Sequence, residues 1–181
     1  MTWMESGGAS VAGHPDTAEE SSETFEELYV REFGSIVALA YALSGSRAAA
    51  EDLAQEAFLV AHRNWETVAD LDAPGAWVRR VAANLSVSAF RRGVAETKAL
   101  TRAAFGRQQV MPELSADDAE FWRAVRSLPR RQAQVIALHY LEDRPVAEIA
   151  EILGTAEGTV KKHLHDGRLA LARRLRLEEG E

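Results

Sequence analysis

Asp52 and Glu56 stand four residues apart in a segment that otherwise repeats apolar residues every third or fourth position. On a helix this spacing puts both carboxylates on one face, within about 100° of Gln55, Leu59 and Arg63 and opposite the apolar stripe. Paired carboxylates could serve acid–base or metal-assisted chemistry, which here would have to recruit His62. That side chain points off the face, and no third ligand or nucleophile is spaced to join it. Like charges at i and i+4 cost an isolated helix about 0.2–0.5 kcal/mol. Two readings remain: a basic partner offsets the repulsion, or the face is simply solvated.

The cations sit elsewhere, and the most specific pattern runs from Pro145 to His165. Ile149, Ile152 and Leu153 mark an inward stripe, Ala150 is small enough to let a second helix cross closely, and Gly154 stands where the chain must turn left-handed. Four residues from Ala150 to Gly154 and six more to Val160 is helix-turn-helix spacing. With Val160, Leu164, Leu171 and Leu175 facing inward, Thr155, Glu157, Thr159, Lys161, Lys162 and His165 are left outward, at the end that enters a major groove. The competing reading is a helical hairpin with a solvated face. His163 and His165 lie about 200° apart around a helix and cannot chelate one metal. His139, four after Val135, reads as a packed helix-face residue rather than a ligand.

A third strip, Arg80, Asn84, Val87 and Arg91, recurs at steps of four, three and four, flanked by Trp77 and Ser88, with Arg79 and Arg92 nearby. Two cations around an amide, beside an aromatic, suit phosphate contacts plus reading of an unstacked base; a basic solvated stripe is the alternative.

The elements that must position these groups are helical. Phe25, Leu28, Tyr29, Ile36, Val37, Ala40 and Leu43 predict a first helix ending at Ser44-Gly45-Ser46. Ala50, Leu53, Ala54, Ala57, Phe58, Ala61 and Trp65 predict a second, from about 47 to 65. Trp77, Val78, Val81, Leu85 and Ala89 predict a third, capped by Asp72 with Pro74 in its first turn. Further helices are expected at about 117–127, 130–141, 145–153 and 157–175, and no window alternates with period two. The fold class is therefore all-α: two small helical domains, at 25–93 and 119–177, joined by a flexible linker over 94–118 that holds at most a short helix near 98–104. Acidic tails, 1–24 and 178–181, flank them.

The 181 residues carry 21 basic and 28 acidic side chains, a net charge of -7. Only 119–177, with 11 basic against 7 acidic residues, is cationic, so a polyanion partner is expected for that segment alone. The chain has no cysteine, which excludes a disulfide scaffold and a thiolate site. The longest apolar run, Ile36 to Leu43, is far short of the roughly twenty residues of a membrane span, and no export signal is visible. A soluble, cytoplasmic protein is the expectation.

Together these residues resemble the extracytoplasmic-function (group 4) sigma factors of bacterial RNA polymerase, in the sigma-70 family. The stretch from Ala50 to Trp65 is similar to the polymerase-binding helix, and that from Pro74 to Arg92 to the -10 helix. Leu128-Pro-Arg-Arg-Gln132, Glu148 to Gly154 and Glu157-Gly-Thr-Val-Lys161 are similar to the -35 domain. The resemblance implies a three- to four-helix region 2 bundle and a helix-turn-helix region 4 domain. It implies that Asp52, Gln55, Glu56 and Leu59 bind core polymerase, through clamp helices of its largest subunit. Trp77, Arg79, Arg80, Asn84, Ser88, Arg91 and Arg92, with the loop 66–73, would capture a flipped -10 base as the strands open. Thr155, Glu157, Thr159, Lys161, Lys162, His163, His165 and Arg168 would face the -35 duplex. Asp166 stands where the family usually carries arginine, and an acid there weakens phosphate contact.

The implied function is an alternative sigma factor that directs polymerase, with its beta and beta-prime subunits, to promoter DNA and stabilises strand opening at transcription initiation. It would perform no bond chemistry, need neither cofactor nor metal, insert into no membrane, and be held in check by an anti-sigma factor. A sigma-like decoy and an autonomous helix-turn-helix regulator are the alternatives; one module of net charge +4 should bind duplex weakly unaided.

Overall fold

The computed structural model describes residues 23–97 and 116–178, and every regular element among them is a helix. The chain runs through α1 (Phe25–Ser44), α2 (Arg47–Arg63), the single turn α3 (Trp65–Val68), α4 (Pro74–Thr97), α5 (Ala116–Arg126), α6 (Arg130–Tyr140), α7 (Val146–Leu153) and α8 (Glu157–Glu178). Local chemistry sets the starts. Thr24 and Glu27 form a reciprocal capping box at α1, and the Ser46 hydroxyl accepts from the Ala49 amide at α2.

Three boundaries differ from expectation. The second helix does not run on through Trp65: it stops at Asn64, whose side chain donates to the Val60 carbonyl at 2.7 Å, and α3 sets off afresh. An asparagine that bonds its own backbone competes with helix continuation. At α4 the cap position falls on Ala73, whose carbonyl accepts from Ala76 and Trp77, while Asp72 is exposed. Finally α4 continues to Thr97 and α5 begins at Ala116, so both helices run into the segment read as linker. The rest of that segment, with the short helix expected near 98–104, and the terminal tails 1–22 and 179–181 lie outside the described residues.

α1, α2 and α4 enclose one apolar cluster, built from Leu28, Ile36, Val37, Ala50, Leu53, Ala57, Phe58, Val78 and Ala82, with Phe25, Tyr29 and Phe33 packed around Phe58. The second cluster is not confined to the C-terminal helices. Trp122, Val125, Leu128, Val135, Ile136, Leu138, Ile149, Leu153, Val160 and Leu164 share it with Leu39, Ala42 and Leu43 of α1 and Ala83 and Val87 of α4. The two helical domains therefore bury apolar surface against each other.

Candidate nucleic-acid interface

α7 and α8 meet as the spacing predicted. Ile149, Ala150, Ile152 and Leu153 are buried, as are Val160, Leu164 and Leu171 across from them, with Leu175 partly covered. Gly154 closes α7 at φ 61° and ψ 51°, donating to the Ala150 and Glu151 carbonyls. Any other L-residue would be strained there, and its Cβ would stand 2.8 Å from Nη1 of Arg80. Gly167 serves closeness instead: a Cβ would come within 3.1 Å of Ile136, so α6 and α8 touch nearly backbone to side chain.

Outside, Glu157, Thr159, Lys161, Lys162, His165 and Arg168 are exposed, and Thr155 and His163 are partly covered. The two lysines are paired along their own helix, Lys161 Nζ to Glu157 at 3.2 Å and Lys162 Nζ to Asp166 at 2.7 Å. The hydrogen bond from Lys162, more than its charge, holds the Asp166 carboxyl below the usual carboxylate range. Exposed pairs of this kind contribute about 0.3–0.5 kcal/mol, so a phosphate can displace the acids. Arg168 is held differently. Its Nε donates to the Tyr140 hydroxyl at 2.7 Å, its guanidinium lies 5.5 Å from the centre of that ring, and Nη2 reaches His139 Nε2 at 3.2 Å. His139 Nδ1 lies 3.1 Å from the Arg144 carbonyl, which assigns the proton to Nδ1 and leaves Nε2 to accept from Arg168. His139 is thus a positioning group for Arg168, a role that helical periodicity could not reveal.

On α2, Asp52, Gln55, Glu56 and Leu59 all lie exposed on one face, and Leu59 keeps 54% of its surface. Beside them is a depression of about 330 Å³ lined by Phe25, Tyr29, Gln55, Phe58, Leu59 and His62. His62 sits edge-on against Phe25 with ring centroids 4.8 Å apart, engaged with the aromatic cluster rather than with the carboxylates. Among the described residues no three His, Asp or Glu side chains converge on a metal position, and no helix is long and apolar enough to cross a membrane.

The α4 strip is divided. Arg80, Arg91 and Arg92 are exposed, Trp77, Asn84 and Ser88 are half-buried, and Val87 belongs to the shared core. Ser88 donates back to the Asn84 carbonyl at 2.8 Å. Arg79, expected among the DNA-facing cations, is only 5% exposed. Its Nε donates to Glu142 at 2.7 Å, and Nη2 donates to Glu32 and, at 3.3 Å, to Ser35. Burial opposes its charge, but Glu142 and Glu32 outweigh that and push its pKa up. Glu32 is the counterpart: burial raises its carboxyl, yet hydrogen bonds and charge from Arg79 and Arg31 bring it below its ordinary value. Asn84 Oδ1 accepts from Gln134 Nε2 at 3.0 Å and from Arg130.

An all-α chain with an exposed acidic face on α2, a basic strip on α4 and a helix-turn-helix at α7 and α8 has the build of a helix-turn-helix DNA-binding protein. Residues 28–95 match the family model for sigma-70 region 2, and residues 118–171 the model for sigma-70 region 4. The chain is 33% identical over 155 residues to the ECF RNA polymerase sigma factor SigW of Bacillus subtilis, covering 78% of this chain and 83% of the relative. It is 34% identical over 145 residues to the ECF sigma factor SigL of Mycobacterium tuberculosis, covering 76% and 79%. The solved sigma factor RpoE from Bartonella quintana, in complex with the anti-sigma factor NepR, shares the fold with a TM-score of 0.63 at 23% identity, over 84% of this chain and 96% of that one. The chain belongs to the sigma-70 family, within its extracytoplasmic-function group. It is an alternative sigma factor that directs RNA polymerase to promoters.

Proposed function

We propose that the three faces divide the work of initiation as follows. Asp52, Gln55, Glu56 and Leu59 grip basic clamp helices of the largest core subunit, with Leu59 seating beside the aromatic depression. Arg80, Arg91 and Arg92 hold the displaced strand while Trp77, Asn84 and Ser88, with the loop 66–73, receive a flipped -10 base. Lys161, Lys162, His163, His165 and Arg168, with Thr155, Glu157 and Thr159, face the -35 duplex. Residues 25–93 and 119–177 are the two working domains, and 94–118 threads the polymerase between them. The protein makes and breaks no covalent bond; contact free energy alone selects the promoter and holds the strands apart. It works in the cytoplasm, and an anti-sigma protein is its second partner, as NepR is for the RpoE chain of the same fold.

The observation that carries this reading is the separation of charge: an exposed acidic face on α2 and exposed cations on α8, in a chain whose net charge alone would repel DNA. Run-off transcription with purified core polymerase, on promoters selected by the reconstituted holoenzyme, tests it. Specific initiation is expected. A chain that binds a protein partner and never initiates would be the decoy, and one that represses or activates without core polymerase would be the autonomous regulator.

A further inference from the structure

We propose that the depression between the later turns of α4, the α5–α6 turn and α8 is a binding site for a nucleoside polyphosphate. Its volume is about 720 Å³, within the range of small-molecule sites. Three arginines line it, Arg91 of α4, Arg126 of α5 and Arg174 of α8, and no carboxylate does. Phe90, Leu128 and Pro129 supply the apolar part of the lining. In a chain with 28 acidic against 21 basic residues that lining is a local exception. Arg31, Arg79 and Arg144, by contrast, each pair with glutamates.

The cations are set in place by neutral groups. Arg126 donates to the Ala42 carbonyl at 3.1 Å, and Arg174 donates to the Ser127 hydroxyl. Gly45 ends α1 at φ 73°, and a Cβ there would stand 2.8 Å from Nε of Arg126, so the turn leaves room for that guanidinium. Burial pushes the Arg126 pKa down; Tyr41 offsets part of this, and Arg123 adds like charge. An anion beside Arg126 would relieve both costs. Guanidinium forks match phosphate oxygens, and three of them around one space suit more than one phosphate. A bare phosphate would leave the apolar wall wet, and a duplex is too wide for the space. A nucleotide uses both halves, its phosphates on the arginines and its base against Phe90 and the apolar wall. Arg91 also belongs to the strip assigned above to the displaced strand. An occupied site therefore withdraws one cation from that strip, a consequence that rests on the reading of α4.

The test is calorimetric titration of the full-length chain with ATP, GTP, inorganic tripolyphosphate and adenosine at physiological salt. One-to-one binding is expected, with the nucleotides tightest, tripolyphosphate weaker and adenosine weakest. Arg174→Gln and Arg126→Gln should each weaken ATP about tenfold, while Arg63→Gln, an exposed arginine on α2, should leave it unchanged. A rise in the parent's melting temperature with ATP is also expected and needs no variant to fold. No binding at millimolar nucleotide would overturn the site. So would tripolyphosphate binding as tightly as ATP, or equal losses in all three variants, since either means diffuse attraction to cations. Affinity for labelled random single strands, with and without saturating ATP, reads the consequence for α4. A loss of about threefold is expected, and unchanged affinity with ATP bound would overturn the shared use of Arg91 while the titration still reports on the site.

Discussion

Replacing Asp52 and Glu56 together by arginine tests the acidic face where its consequences are largest. Both side chains are exposed, so the fold has little stake in them. The native pair is a like-charge i,i+4 pair, and two arginines are the same kind of pair with the sign reversed. The change in helix energy is therefore a few tenths of a kcal/mol at most, and melting should move by about 2 °C or less. Against a basic clamp helix, each reversal replaces an attraction with a like-charge juxtaposition, which costs several kcal/mol across an interface. Even at about 2 kcal/mol per site the pair loses some 4 kcal/mol, close to a thousandfold in Kd. Affinity for labelled core polymerase at two salt concentrations, with a thermal melt of the same sample, separates binding from folding. Core affinity within threefold of the parent, in a variant that melts normally, would refute the assignment of this face.

Other outcomes follow from the same geometry. Lys161→Glu should weaken -35 duplex binding and lower the slope of log K against log salt by about one, with core affinity unchanged; fluorescence anisotropy across a salt series reads both. Phe58→Ala, removing a side chain 2% exposed at the centre of the aromatic cluster, should destabilise the first domain by about 3–5 kcal/mol in urea melts. For Glu32 the folded carboxyl lies below its unfolded value, so its contribution is complete above about pH 4.5 and fades as pH falls through the folded value. Glu32→Gln should remove that acid-limb dependence from stability measured between about pH 3 and 6; an unchanged limb would show that Arg79 does not depend on Glu32.

Much of the architecture was legible because helices announce themselves locally. The stripes of α1, α2 and α8 name their buried residues by i, i+3 and i+4 repetition alone, and Gly154 marks its own turn because few other residues adopt that backbone. The exposed faces of α2 and α8 were readable for the same reason: each helix packs on one side, so what is not apolar faces out.

α4 broke that rule. Its apolar residues serve two cores, Val78 and Ala82 in the first and Ala83 and Val87 in the second, so its basic strip lies along a seam rather than on an open surface. Arg79 looked like one more surface cation because its partners, Glu32 and Glu142, are 47 and 63 positions away. Asn84 looked available because Arg130 and Gln134 are 46 and 50 positions away. The amino-acid order determined the helices, their apolar sides and the two charged faces, since those depend on neighbours within a turn or two. Only the tertiary structure decided which polar groups are spent inside the molecule, since that depends on which helices meet, and spacing along one helix carries no information about another.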